Sequence, residues 1–132
     1  MERLFVDTSA WFAYVNRDDR EHEAVRRVLA GFRGRLVTSN YIFDETVTLC
    51  LARLGHPVAS QVGANLLDAD TVDLIRITPR DEGTAWSLFL QRPDKTYSFT
   101  DCTSFVLLER LGVVRVLALD DDFQREGFQV VP

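Results

Sequence analysis

A chain of 132 residues, 46% apolar and 27% charged, is long enough to bury a real core and too hydrophobic to stay disordered. Its 15 basic and 20 acidic side chains leave a net charge of −5, which excludes binding a polyanion by bulk electrostatics. An enzyme of this balance acting on nucleic acid would have to recruit cations and place its basic groups locally; Lys95 is the single lysine, the rest being arginines, the better fork for phosphate oxygens.

Residues 3 to 6 read as a short buried strand that stops at Asp7, and Thr8 to Val15 follow at once as an apolar helical turn or two. Asp18 or Asp19 is placed to cap a helix over about residues 20 to 33, where Ala24, Val25, Val28, Leu29 and Phe32 recur at helical spacing and Gly31 and Gly34 close it. Arg35 to Ser39 form a second strand, and Ser39 or Asn40 caps a long helix reaching Leu54, broken sharply by Gly55, His56 and Pro57. A further helix over about residues 58 to 69 precedes a third strand, Asp73 to Thr78. Thr78, Pro79 and Asp81 then make a clear helix start: hydroxyl cap, Pro at the first position, acid three residues on. That helix runs to Arg92. Another begins at Thr100 and ends at Gly112, Val114 to Leu119 form a fourth strand, and Phe128 to Val131 a short last one.

Strands that alternate with helices, and that are apolar without clean alternation, belong in a parallel sheet covered on both faces. The expected architecture is one domain over residues 1 to 132: a three-layer α/β/α sandwich with a mostly parallel sheet of four to five strands. There is no basic leader with a long apolar stretch behind it, and nothing approaches the roughly 20 apolar residues of a membrane span, so a cytoplasmic location is expected. Cys50 and Cys102 fall in helix-like segments without paired metal spacing and read as buried free thiols.

Four acids stand at strand ends or in the first turns of helices: Asp7, Glu45, Asp101 and Asp120. In an open parallel α/β sheet ligands bind beyond the carboxyl ends of the strands, so all four fall at one edge. Asp101 needs the extra step that the helix ending at Arg92 descends roughly 21 Å at 1.5 Å per residue, and residues 93 to 99, if extended, climb back roughly 23 Å at 3.3 Å per residue. Clustered carboxylates repel unless a cation sits among them, which points to a divalent metal site and to metal-assisted phosphodiester chemistry. Each acid also has a structural reading. Asp7 can cap its helix; Glu45 can be a solvated flank; Asp101 can serve the macrodipole of its helix with Ser98 or Thr100 as cap; Asp120, Asp121 and Asp122 can be a wet turn.

The chain resembles the PIN-domain family, and within it the VapC-like ribonuclease toxins of toxin-antitoxin pairs. The resemblance rests on Phe5-Val6-Asp7-Thr8-Ser9, Thr38-Ser39 through Asp44-Glu45, Asp94 through Ser98-Phe99-Thr100-Asp101-Cys102, and Ala118-Leu119-Asp120 with Phe123 and Gly127-Phe128. It implies that Asp7, Glu45, Asp101 and Asp120 hold Mg²⁺, with Mn²⁺ able to substitute. Ser9 matches a hydroxyl close to the metal, and Asp94 and Ser98 match positions that support the site or orient substrate. Ala118 stands where many relatives have Thr, and Asp122 competes with Asp120 for the fourth acidic position. An RNA substrate cut by metal-activated water, an antitoxin partner and a homodimer built through the helices after strands one and two are further implications. A housekeeping RNA-processing nuclease and a catalytically inactive scaffold remain as alternatives.

Arg17, Arg20, Arg80, Arg92 and Lys95 are candidates for holding backbone phosphates at the rim, and Tyr97 and Phe99 for stacking on bases. His22, between Glu21 and Glu23, reads as a packing or capping residue. A haloacid-type phosphatase would need Asp at position 9, where Ser stands; a receiver would need a lysine near the last strands; a dinucleotide binder would need GxGxxG after the first strand.

Overall fold

The computed structural model describes residues 1–132. The elements are β1 (Arg3–Val6), α1 (Thr8–Val15), α2 (His22–Gly31), β2 (Arg35–Ser39), α3 (Asn40–Leu54), α4 (His56–Leu66), β3 (Val72–Ile75), α5 (Pro79–Gln91), α6 (Phe99–Leu111), β4 (Arg115–Leu117), α7 (Asp122–Arg125) and β5 (Gln129–Val131). All five strands are parallel, in the order β3-β2-β1-β4-β5. Right-handed crossovers put α1 to α4 on one face and α5 to α7 on the other, and α1 accordingly packs on α2 and α3, α3 on α4, and α5 on α6. The three-layer α/β/α sandwich expected from the strand and helix periodicities is the architecture found.

The two sides of the sheet are filled by different chemistry. Phe5 faces α6 and α7, where it meets Phe123 (6.1 Å between ring centroids), and Phe105 gathers Tyr97 (5.0 Å), Phe123 (5.0 Å) and Phe128 (6.1 Å) into one aromatic cluster. On the opposite side Trp11, Val25, Val62 and Leu66 are buried beneath α1, α2 and α4. Burying aromatic rings is among the largest single contributions a small core receives.

The helix starts follow their capping residues. Ser39 accepts the Ile42 N–H at the head of α3, and Thr78 and Asp81 exchange reciprocal side-chain bonds at the head of α5. α2 is shorter than its periodicity suggests, ending at Gly31, and its first residue is His22, with Asp19 accepting the Glu21 N–H. Gly34 is required by a close approach: a Cβ there would lie 2.2 Å from the Glu2 carbonyl oxygen, the acceptor of the Arg35 N–H. Gly112 ends α6 in the left-handed region at φ 66°.

Two strands stop earlier than the apolar runs that contain them. β3 ends at Ile75 rather than Thr78 because its only neighbour, β2, runs out at Ser39, the partner of Ile75. β4 ends at Leu117 because β1 ends at Val6, its partner. Asp120 therefore does not terminate the fourth strand; it lies three residues past it, on the turn that opens α7, a helix that four residues are too few to reveal by periodicity.

Candidate metal centre

The strand order reverses direction between β1 and β4, and the crevice at that switch point is the natural ligand position of an open parallel sheet. Asp7 leaves β1 there. Its backbone N–H donates to the Leu117 carbonyl of β4 at 3.0 Å, so the first residue after β1 is tied to the end of β4. Its side chain is only 4% exposed and accepts the Ser9 hydroxyl at 2.8 Å on Oδ2. The Ser9 oxygen in turn accepts the Leu119 N–H at 3.2 Å. One hydroxyl thus fastens the Asp7 carboxylate to the residue before Asp120.

Asp101 arrives by the descending α5 and the ascending segment 92–98, on the edge where Asp7 sits. It is the third residue of α6 and forms a reciprocal capping box with Ser98: Oδ2 accepts the Ser98 N–H at 2.9 Å, and the Ser98 hydroxyl accepts the Asp101 N–H at 3.0 Å. Of the two caps open in the sequence, Ser98 is the one used. Asp120 Oδ1 accepts the Asp122 N–H at 3.0 Å.

Burial pushes the Asp7 carboxyl up to about 7; the Ser9 bond opposes this, and the charges of Asp101 and Asp120 add to it. Asp101 is raised to about 6, first by desolvation, then by Asp120 and Asp122 against the pull of the Ser98 N–H. Asp120 is raised by desolvation and by Asp122 and Asp121. Three chain segments far apart in sequence therefore bring carboxylates within electrostatic reach of one another, and none of the three forms an ion pair, although nine such pairs occur elsewhere in the chain.

Glu45 is carried on α3, which starts where β2 ends; its neighbour Thr46 meets Thr8, the residue after Asp7, at 3.4 Å. Glu45 lies in the second turn of α3, half-buried and without a basic partner. No three carboxylates are arranged as a closed coordination shell. The physical reason is local competition: Asp101 and Asp120 each turn one oxygen back to a backbone N–H of their own turn, as Asp does at helix starts. An all-oxygen donor set with free lone pairs, in mutual repulsion and with none of the three acids ion-paired, fits a hard divalent ion that keeps part of its water shell; Arg125 nearby is taken up by Asp121 and Asp122.

The remaining candidates divide cleanly. Ser98 supports Asp101 directly, whereas Asp94 is exposed and pairs with its neighbour Lys95 at 3.1 Å. Tyr97 is not a stacking surface: it is 5% exposed, packed edge-on against Phe105, with its hydroxyl donating to Glu126 at 2.8 Å. Arg92 is committed to Glu126 through Nε (3.2 Å) and Nη2 (3.3 Å), which removes its fork from the rim. Arg17 lies beyond the far end of α1, roughly 12 Å of helix from Asp7 at 1.5 Å per residue. Arg80 is exposed in the first turn of α5, on the same edge as Asp7, and makes no ion pair. Phe99 remains half-buried at the head of α6, edge-on to Tyr41, whose hydroxyl donates to Glu82.

No other side chain offers competing chemistry. His22 Nδ1 lies 2.8 Å from the Ala13 carbonyl oxygen, a packing role at the end of α1. Burial, with Asp101 beside it, pushes the Cys102 thiol up to about 11, far from a nucleophile. A cleft of about 840 Å³ between α5 and α6 contains none of the four acids, and four of its charged residues are paired, Asp81 with Arg110 and Glu126 with Arg92. Glu126 and the Tyr41–Glu82 contact were not visible in the sequence, because their partners lie 29 to 41 residues away.

The fold and this crevice define an open parallel α/β domain that gathers carboxylates, and no base or thiol, at its switch point. Residues 4–128 match the PIN-domain model, and the chain belongs to the PIN-domain family, a family of nucleases that use divalent metal ions. The chain is 35% identical over 125 residues, 95% of each protein, to the 23S rRNA-specific endonuclease VapC20 of Mycobacterium tuberculosis. The crystal structure of VapC20, described as a sarcin-ricin loop cleaving toxin, superposes with a TM-score of 0.93 over 98% of this chain and 99% of that one. The VapC ribonuclease of Archaeoglobus fulgidus is 27% identical, covering 89% of this chain and 77% of its own. FitAcB from Neisseria gonorrhoeae, 11% identical with a TM-score of 0.73 over 98% of this chain and 96% of its own, shares the fold.

Proposed function

We propose that this protein is a Mg²⁺-dependent endoribonuclease, the toxin of a toxin-antitoxin pair, acting in the cytoplasm on the sarcin–ricin loop of large-subunit ribosomal RNA. The observation that carries the reading is the group Asp7, Asp101 and Asp120, three acids from remote segments that bear on one another at the switch point without a basic partner. The likeness to VapC20 along nearly the whole chain supports the substrate and the toxin role.

In this reading Asp7, Asp101 and Asp120 hold the metal, with Glu45 facing them from α3. When bound, a divalent ion orients the phosphodiester, lowers the pKa of the attacking water and offsets charge on the leaving oxygen. The chain's residues do the rest. Ser9 sets the rotamer of Asp7 and its distance from the Asp120 turn; Ser98 sets that of Asp101; Arg80 meets a backbone phosphate at the rim. An antitoxin segment covering the acidic edge would block access, and a homodimer completes the assembly.

The test is cleavage of a sarcin–ricin-loop hairpin by purified protein in Mg²⁺. A single cut that disappears with chelator and with Asp101→Asn is expected; an Asp101→Asn protein that cuts like the parent would place the chemistry elsewhere.

A further inference from the structure

The acids reach the crevice on two segments that share no sheet hydrogen bond. Asp101 is delivered by the irregular segment 92–98, and Asp120 by the turn between β4 and α7. Neither segment is regular enough to hold its acid by backbone pairing alone, yet the distance between these two carboxylates decides whether they can share an ion. One side chain joins them. Glu126, directly after α7, accepts Arg92 Nε and Nη2 on its two oxygens at 3.2 and 3.3 Å, and its Oε2 also accepts the Tyr97 hydroxyl at 2.8 Å. Arg92 and Tyr97 are the two ends of the segment that climbs to Ser98 and Asp101. The Glu126 side chain is 12% exposed, so these charge-assisted bonds are largely shielded from water.

The packing around the contact has the same direction. Tyr97 is clamped by Phe105, one turn past Asp101 on α6, and Phe105 meets Phe123 of α7 and Phe128 beyond it. Asp122, whose N–H is held by Asp120, bears electrostatically on the Tyr97 hydroxyl. A continuous chain of contacts therefore runs from segment 92–98 through Glu126 and back along α7 to the turn carrying Asp120.

We propose that Glu126 is a positioning residue for the metal site: by binding both ends of segment 92–98 it fixes the separation of Asp101 from the Asp120 turn. This rests on the nuclease reading above. Glu126 touches neither substrate nor metal, and acts only through Arg92 and Tyr97.

The test compares the parent with Tyr97→Phe, which removes one hydroxyl and keeps the ring on Phe105, and Glu126→Gln, which keeps shape and removes the charge that binds Arg92. Mn²⁺ binding is measured on each protein by calorimetry, the Mg²⁺ concentration for half-maximal hairpin cleavage is measured beside it, and thermal midpoints are taken in chelator. Partners of metal-holding groups change affinity by roughly 10- to 100-fold; one step further out, both variants are expected to weaken Mn²⁺ binding about 3- to 10-fold, with cleavage recovered by raising Mg²⁺. Parent-like Mn²⁺ affinity in both variants would overturn the proposal, as would a loss of cleavage that no metal concentration restores. Asp101→Asn run alongside separates the two readings: full cleavage by that variant refutes the nuclease site itself, while its inactivity with unchanged Mn²⁺ binding in Tyr97→Phe and Glu126→Gln refutes only the brace.

Discussion

A carboxylate as buried as Asp7 should cost the ion-free protein stability, and removing its charge should make the fold stronger while disabling the enzyme. The Asp7 carboxyl is 4% exposed, accepts the Ser9 hydroxyl and the Ser9 N–H as the N-cap of α1, has no cation, and is pushed up from 3.8 to about 7. At about 1.36 kcal/mol per pH unit, ionising it in the fold costs roughly 4 kcal/mol more than ionising it in the unfolded chain. An acid whose folded pKa lies above its unfolded one binds more protons when folded. Stability then falls as pH rises from about 4 to about 7 and is flat beyond. In Asp7→Asn the Ser9 hydroxyl still finds an amide oxygen, but the amide is itself desolvated, which takes back part of the gain. We expect Asp7→Asn to be about 2–4 kcal/mol more stable than the parent at pH 8 in chelator, with the gap closing toward pH 4. Urea unfolding at a series of pH values measures this. Adding Mn²⁺ should close most of the gap, since an ion at 100 times its dissociation constant stabilises the parent by about 2.7 kcal/mol and the variant much less. An Asp7→Asn protein less stable than the parent at pH 8 without metal would show that the carboxylate is compensated by a partner the geometry does not contain.

Asp120→Asn should lower cleavage by about 100-fold or more with its chelated unfolding midpoint near the parent's, as judged by hairpin assays and urea melts, because the residue is exposed and its loss removes a ligand rather than a core contact. Ser9→Ala breaks the link from Asp7 to Leu119 and leaves the Leu119 N–H without its acceptor; a stability loss of about 1–2 kcal/mol and weaker Mn²⁺ binding are expected by urea unfolding and calorimetry. Arg110→Met strips Asp81, 4% exposed, of its only cation and should destabilise by about 3 kcal/mol by urea unfolding, leaving the hairpin cut in the same place.

Much of the architecture was legible because local and global signals agree. Apolar runs such as Leu4 to Val6 and Val116 to Leu117 became buried parallel strands, and the Thr78-Pro79-Asp81 start became a capping box. The placement of Asp7, Asp101 and Asp120 at one edge followed from strand ends and helix rise, quantities that a chain carries in its own spacing. Where strands stop was not legible, since β3 and β4 end where β2 and β1 cease to offer hydrogen bonds.

The chemical type of the site, acidic and without a base or thiol, is a property of the residues themselves and of their order along the chain. Which groups face one another was decided by the tertiary structure alone. Tyr97 has the composition of a base-stacking residue, yet Phe105 and Glu126 bury it; Arg92 has the fork of a phosphate binder, yet Glu126 occupies it. A side chain's charge and shape are local, but its exposure and its partner depend on segments tens of residues away, and only packing the helices onto the sheet brings those segments within hydrogen-bonding distance.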